Sequence, residues 1–115
     1  MRGFTADITD IEEGVIVHLA GELDAGSSVV ADTAIEESIA AGVKKLLIDC
    51  TELSYISSAG LGVLLAAYQA CRQANITFIL YALNAKIQNV FEIVGLHNVM
   101  TITDTKEQAL AKTVD

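Results

Sequence analysis

Leu46-Leu47-Ile48-Asp49-Cys50-Thr51-Glu52-Leu53-Ser54-Tyr55-Ile56-Ser57-Ser58-Ala59-Gly60-Leu61-Gly62-Val63-Leu64-Leu65 is the stretch that decides the fold class. Leu46 to Ile48 is apolar at consecutive positions, the pattern of a parallel strand buried on both faces under helices. Thr51-Glu52-Leu53-Ser54 reads as a turn, followed by Tyr55-Ile56. Ser58 then stands where an N-cap belongs, and a helix runs from about Ser58 to Gln73. Leu61, Leu64, Leu65, Tyr68 and Cys71 form its expected buried stripe at helical spacing.

Upstream, Phe4 to Ile8 is a short strand, turned by Asp10-Ile11-Glu12-Glu13-Gly14 into a second one, Val15 to Ala20. A loop from Gly21 to Gly26 leads to Ser27 or Ser28, each suited to cap a helix. That helix places Ala31, Ala34, Ile35, Ser38 and Ile39 on one side, and Gly42 closes it. Downstream, Ile76 to Tyr81 is another buried strand. Asn84 caps a third helix, with Ile87, Val90, Phe91 and Val94 spaced for one face and Gly95 at its end. A short strand from Val99 to Ile102 precedes a last helix opened by Asp104, with Glu107 at the capping-box position. Strands alternating with helices define an α/β layer structure with helices over a mixed sheet.

The chain of 115 residues suits a single domain, 1–115. Its 52% apolar content is enough for a core without disulfides or metals. Net charge is −8, a field that disfavours direct binding to nucleic acid or to anionic membrane and favours a partner that is itself basic, or a protein groove. Eleven of the 15 acids lie at or before Glu52, and none falls between Leu53 and Phe91. Part of that acid-free segment is expected to be apolar surface kept for a partner. The longest apolar run, Leu61 to Tyr68, is well short of the roughly 18 residues of a membrane span. Cys50 and Cys71 sit in apolar runs with no secretory signal ahead of them, as expected of buried free thiols in a reducing cytoplasm.

Leu19-Ala20-Gly21-Glu22-Leu23-Asp24, taken with Asp49 to Leu65, resembles the STAS domain family, specifically the small anti-sigma-factor antagonists. Ile87 to Leu96 resembles the family's third helix, so the likeness extends over essentially the whole chain. The resemblance implies a mixed, mostly parallel sheet of about four to five strands, with about four α-helices packed mainly on one side. It also implies a serine phosphoacceptor at Ser58. In better-known members that serine follows an aspartate and precedes a serine or threonine and then glycine. Here the sequence is Ser57, Ser58, Ala59, Gly60, so Ser57 becomes a minor alternative acceptor. Asp24, Ser57, Ser58, Ala59, Gly60, Leu61 and Gly62 are the implied partner-binding residues, with Asp24 near Ser58 at the same end of the sheet.

The implied partners are an anti-sigma factor with serine kinase activity and a metal-dependent serine phosphatase. The unphosphorylated form would bind the former and release a sigma factor, and phosphate on Ser58 would end the contact. ATP would belong to the kinase; the chain itself is expected to hold no cofactor and no metal. A rival reading within the family is a non-phosphorylated subunit of a lipid-transport or scaffold complex.

Catalysis is not expected from these residues. Ser58 lacks a Gly-x-Ser-x-Gly elbow, because Ile56 and Gly60 flank it. Gly60-Leu61-Gly62 lacks the third glycine of a dinucleotide fingerprint, since Leu65 takes that place. His18 lies mid-strand, His97 follows Gly95, and no motif places either as a base. Two distant cysteines make no zinc pattern. Gly60 and Gly62, near the start of a helix, each cost about 0.5–1 kcal/mol against alanine and point to close approach by another backbone, either an internal strand or a partner protein.

Overall fold

Alternating apolar residues in β2 (Gly14–Leu23) place Val15, Val17 and Leu19 on one sheet face and Ile16 on the other. The computed structural model describes residues 3–112. β1 (Thr5–Ile11) is longer than the expected Phe4–Ile8 strand. It runs antiparallel to β2 in a hairpin whose register pairs Ile11 with Gly14, and Glu13 takes φ 70° in the tight turn. β3 (Lys45–Ile56), β4 (Thr77–Tyr81) and β5 (Thr101–Thr103) follow in sheet order β1-β2-β3-β4-β5. β2 to β5 are parallel, so the sheet is mixed and mostly parallel, as expected.

Helices α1 (Ser28–Ala40), α2 (Ser58–Gln73) and α3 (Ala85–Ile93) cover one face. Ala31 and Ile35, Leu64 and Cys71, and Ile87 and Phe91 meet Val17, Leu46, Ile48 and Leu80 there. A short α4 (Lys106–Ala111) covers part of the other face, where Ala109 packs on Ile16, Leu47, Ile79 and Tyr81. The buried Lys45 anchors that helix by donating from Nζ to the carbonyls of Leu110 and Lys112, the end of a helix that favours a cation.

Several elements differ from the sequence expectation, each for a local reason. Thr51 to Ser54 is not a turn: β3 continues through it to Ile56. The stripe of α2 is Gly60, Leu64, Ala67 and Cys71, while Leu61, Leu65 and Tyr68 are half-buried at its margins. Asn84 does cap α3, its Oδ1 accepting from Ile87 N–H at 2.8 Å, and Gly95 follows it with φ 79°. Val94 is exposed, because the chain leaves the helix into a 3₁₀ turn at Leu96–Asn98. The strand expected over Val99–Ile102 is β5, Thr101–Thr103, because the N–H groups of Val99 and Met100 are still bonded back to Leu96 O. α4 is capped by Thr105 with Gln108 as its reciprocal partner, one residue beyond the expected Asp104 and Glu107.

Candidate functional site

The site is built by the way β3 reaches its end. β2 advances from His18 to Leu23 while β3 advances from Asp49 to Ile56, two residues further, with register shifts after His18 and after Gly21. Each shift is a β-bulge, one residue on β3 left without an opposite number. The inward positions of β3 therefore run Leu46, Ile48, Cys50, Leu53, Ile56, alternating by two and then stepping by three at each bulge.

This path delivers Ser57 to the carboxyl end of the sheet, where its N–H donates to the carbonyl of Leu23 at 2.9 Å. Ser57, not Ser58, is the N-cap of α2: its extended backbone (φ −99°, ψ 178°) lets its side chain accept from Gly60 N–H at 3.3 Å. Ser58 is the first helical residue and is exposed, its hydroxyl unused by the cap. Ser57→Ala is expected to cost about 1 kcal/mol of unfolding free energy through loss of the cap. The Ser58 hydroxyl stays in place, and denaturant titration measures the loss.

Two glycines behave oppositely. A Cβ on Gly60 would lie 2.7 Å from Leu23 O, 2.8 Å from Ile56 Cγ1 and 2.9 Å from Leu23 Cγ. The close approach expected there is an internal one, helix against β2. A Cβ on Gly62 would meet nothing within 4 Å, so the internal-strand alternative falls at that position. Gly62 instead opens onto a shallow groove between α1 and α2, lined by Ser28, Val29, Asp32, Ala59, Val63 and Ala66. Ala59 is exposed, and Leu61 packs against the core.

Asp24 follows directly on the Leu23 carbonyl that holds Ser57, at the same end of the sheet as Ser58. Its carboxylate is turned to its own loop, where Oδ1 accepts from Ser27 N–H at 3.1 Å. Ser27 stands at the N-cap of α1 without capping it: its Oγ instead accepts from Asp24 N–H at 2.9 Å and donates to Glu22 O at 2.7 Å.

Sequence reasoning missed a second polar cluster, on the sheet face away from α2. His18 Nδ1 lies 2.7 Å from Asp49 Oδ2, and Nε2 lies 2.9 Å from Thr9 Oγ1, so one imidazole joins β1, β2 and β3. Asp49 Oδ1 accepts from Thr51 N–H at 2.9 Å and from Thr51 Oγ1 at 2.6 Å. An Asp two residues before a Thr, a spacing suited to an Asx turn, was the available signal.

Burial opposes ionisation of Asp49, but the bonds from Thr51 and His18 outweigh it and hold the carboxyl below its ordinary 3.8. A carboxyl lowered on folding stabilises the protein fully above the unfolded value, and that contribution is lost as pH falls through the folded value. Unfolding free energy is therefore expected to drop below about pH 4. Asp49→Asn is expected to flatten that part of the profile, as read by denaturant titration against pH.

Both cysteines are buried and free; burial raises the thiol of Cys50 and pushes that of Cys71 up to about 11, so neither is a thiolate nucleophile at neutral pH. Burial and the neighbouring Asp49 carboxylate likewise raise the Tyr81 phenol. Among the described residues no helix is long and apolar enough to cross a membrane.

A five-stranded mixed sheet with three helices on one face agrees with the fold that the likeness read from the sequence implies. The chain belongs to the STAS domain family, whose model matches residues 5–109. It is 34% identical over 91 residues to an anti-sigma-B factor antagonist of Listeria monocytogenes, covering 78% of this chain and 79% of that protein. The fold is shared with an anti-sigma factor antagonist from Mycobacterium paratuberculosis, at TM-score 0.86 and 23% identity, over 94% of this chain and 92% of that one. The Bacillus cell fate determinant SpoIIAA, solved in its phosphorylated form, is 26% identical with TM-score 0.70, over 94% of this chain and 96% of that one.

Proposed function

We propose that this chain, acting as one STAS domain, is an anti-sigma-factor antagonist switched by phosphorylation of Ser58. The unphosphorylated form binds an anti-sigma factor that is also a serine kinase and so frees a sigma factor. Transfer of the ATP γ-phosphoryl group to Ser58 Oγ, with its proton passing to a base of the kinase, ends the contact. A metal-dependent serine phosphatase hydrolyses the ester and restores it. The chain supplies a surface and an acceptor, not a catalytic centre, and works in the cytoplasm.

The observation that carries this reading is the division of labour between the two serines. Ser57 is engaged as the cap, while the Ser58 hydroxyl is exposed at the first helical position. Phosphate at Ser58 adds about −1.5 to −2 charges at the positive end of the α2 dipole, which the fold tolerates. The charge therefore acts on the partner and leaves the helix intact. α2 carries no charge before Arg72, so a dianion at Ser58 would be desolvated in the interface without a cation from this chain. The names of the relatives support an anti-sigma factor as the partner.

Peptide mass spectrometry on protein recovered from its native cells tests the acceptor. One phosphate on the Ser58 peptide, absent from Ser58→Ala, is expected. A partner co-purifying with a chain that never carries phosphate would favour the transporter or scaffold subunit instead.

A further inference from the structure

Each of the two bulges in β3 is tied by a side chain. Across the first, Asp49 Oδ1 holds Thr51 through both its N–H and its hydroxyl, while Asp49 Oδ2 is bonded to His18 on β2. At the second, Ser54 Oγ donates to Gly21 O at 3.1 Å, where Gly21 takes φ 106° and the register slips again. From Asp49 to Ile56, β3 carries two residues more than β2 does over the same length. Without a bulge the strand would advance by one residue, about 3.3 Å, and turn its following side chains to the other face. The Ser57 N–H could not then meet Leu23 O, nor could Gly60 lie against Leu23.

We propose that Asp49 and Ser54 are positioning residues for the phosphoacceptor: by fixing the two bulges they set where β3 ends and how Ser58 is presented. The proposal rests on Ser58 being the acceptor only for its functional consequence. Asp49 lies on the face of the sheet away from α2, in the row His18, Asp49, Tyr81. It controls the serines from behind, without touching the partner surface. His18 and Thr51 are in reach of solvent on that face, so the clamp is open to substitution without repacking the core.

Amide hydrogen exchange, read by NMR on the full chain, tests the clamp without any partner. Asp49→Ala should speed exchange at Ser57 and Gly60 N–H by about tenfold or more, relative to the amides of Ile79 and Leu80 in the same sample. Asp49→Asn, which keeps a side-chain oxygen for Thr51, should restore protection. Ser54→Ala, at an exposed position, should loosen the same two amides and serves if Asp49→Ala does not fold. Unchanged exchange at Ser57 and Gly60, or an equal rise at every amide, would overturn the proposal, because the clamp would then be general stability alone. Absence of phosphate on Ser58 in the native protein would remove the functional consequence and leave this structural result standing.

Discussion

Ser58→Asp is expected to weaken binding to the anti-sigma factor by about a hundredfold, equivalent to about 2.7 kcal/mol. Ser58→Ala should bind as tightly as the unmodified chain. The expectation comes from the surroundings of Ser58. Its helix is uncharged as far as Arg72, and the acidic loop residue at this end of the sheet, Asp24, has its carboxylate engaged with Ser27 N–H. No basic side chain of α1 or of the first half of α2 is present to neutralise an added charge. Aspartate at the first helical position favours the helix itself, so thermal stability should hold while affinity falls. That split distinguishes eviction of the partner from unfolding. Isothermal titration of the two variants against the purified anti-sigma factor reads it directly. Equal affinity for both would remove electrostatic eviction as the mechanism.

Gly60→Ala should destabilise the fold by about 1–2 kcal/mol, while Gly62→Ala, two residues along the same helix, should stabilise it by about 0.5–1 kcal/mol. Helix propensity alone favours alanine at both positions. At Gly60 the new methyl would overlap Leu23 O, a backbone atom already holding Ser57 N–H, and the side chains of Ile56 and Leu23. A backbone carbonyl fixed in that way cannot retreat, so overpacking outweighs propensity. At Gly62 the space is empty, and only the propensity gain remains. Denaturant titration of the pair gives opposite signs. Two stabilised variants would mean that α2 is free to lift off β2.

Much of the fold was legible in the sequence, because its helices and inner strands carry strong apolar periods. Asn84, Gly95 and the Ile87–Phe91 spacing defined α3 closely. The misreading of Thr51 to Ser54 has a plain physical cause. A strand with two bulges changes from steps of two to steps of three, and over so few residues that pattern is the same as a polar turn. Beside the local bond of Asp49 to Thr51, the bulges are held by contacts between residues far apart in sequence, Asp49 with His18 and Ser54 with Gly21. The Asp49–Thr51 spacing is local, but nothing in β3 announces the contacts with β2.

The choice between the serines failed for a related reason. Either residue of Ser57-Ser58 suits a cap, and the decision is made by Leu23 O fixing the Ser57 N–H and by Gly60 lying against the same carbonyl. Gly60 and Gly62 look alike in sequence for the same reason, since only the neighbouring strand separates their roles.

The most direct test of the central proposal is the intact mass of the chain in two pools from the same native cells, one captured with its anti-sigma factor and one free. The expected result is an unmodified chain in the bound pool and a chain carrying one phosphate, on Ser58, in the free pool. Phosphate on Ser58 in the bound pool at the same occupancy as in the free pool would contradict it.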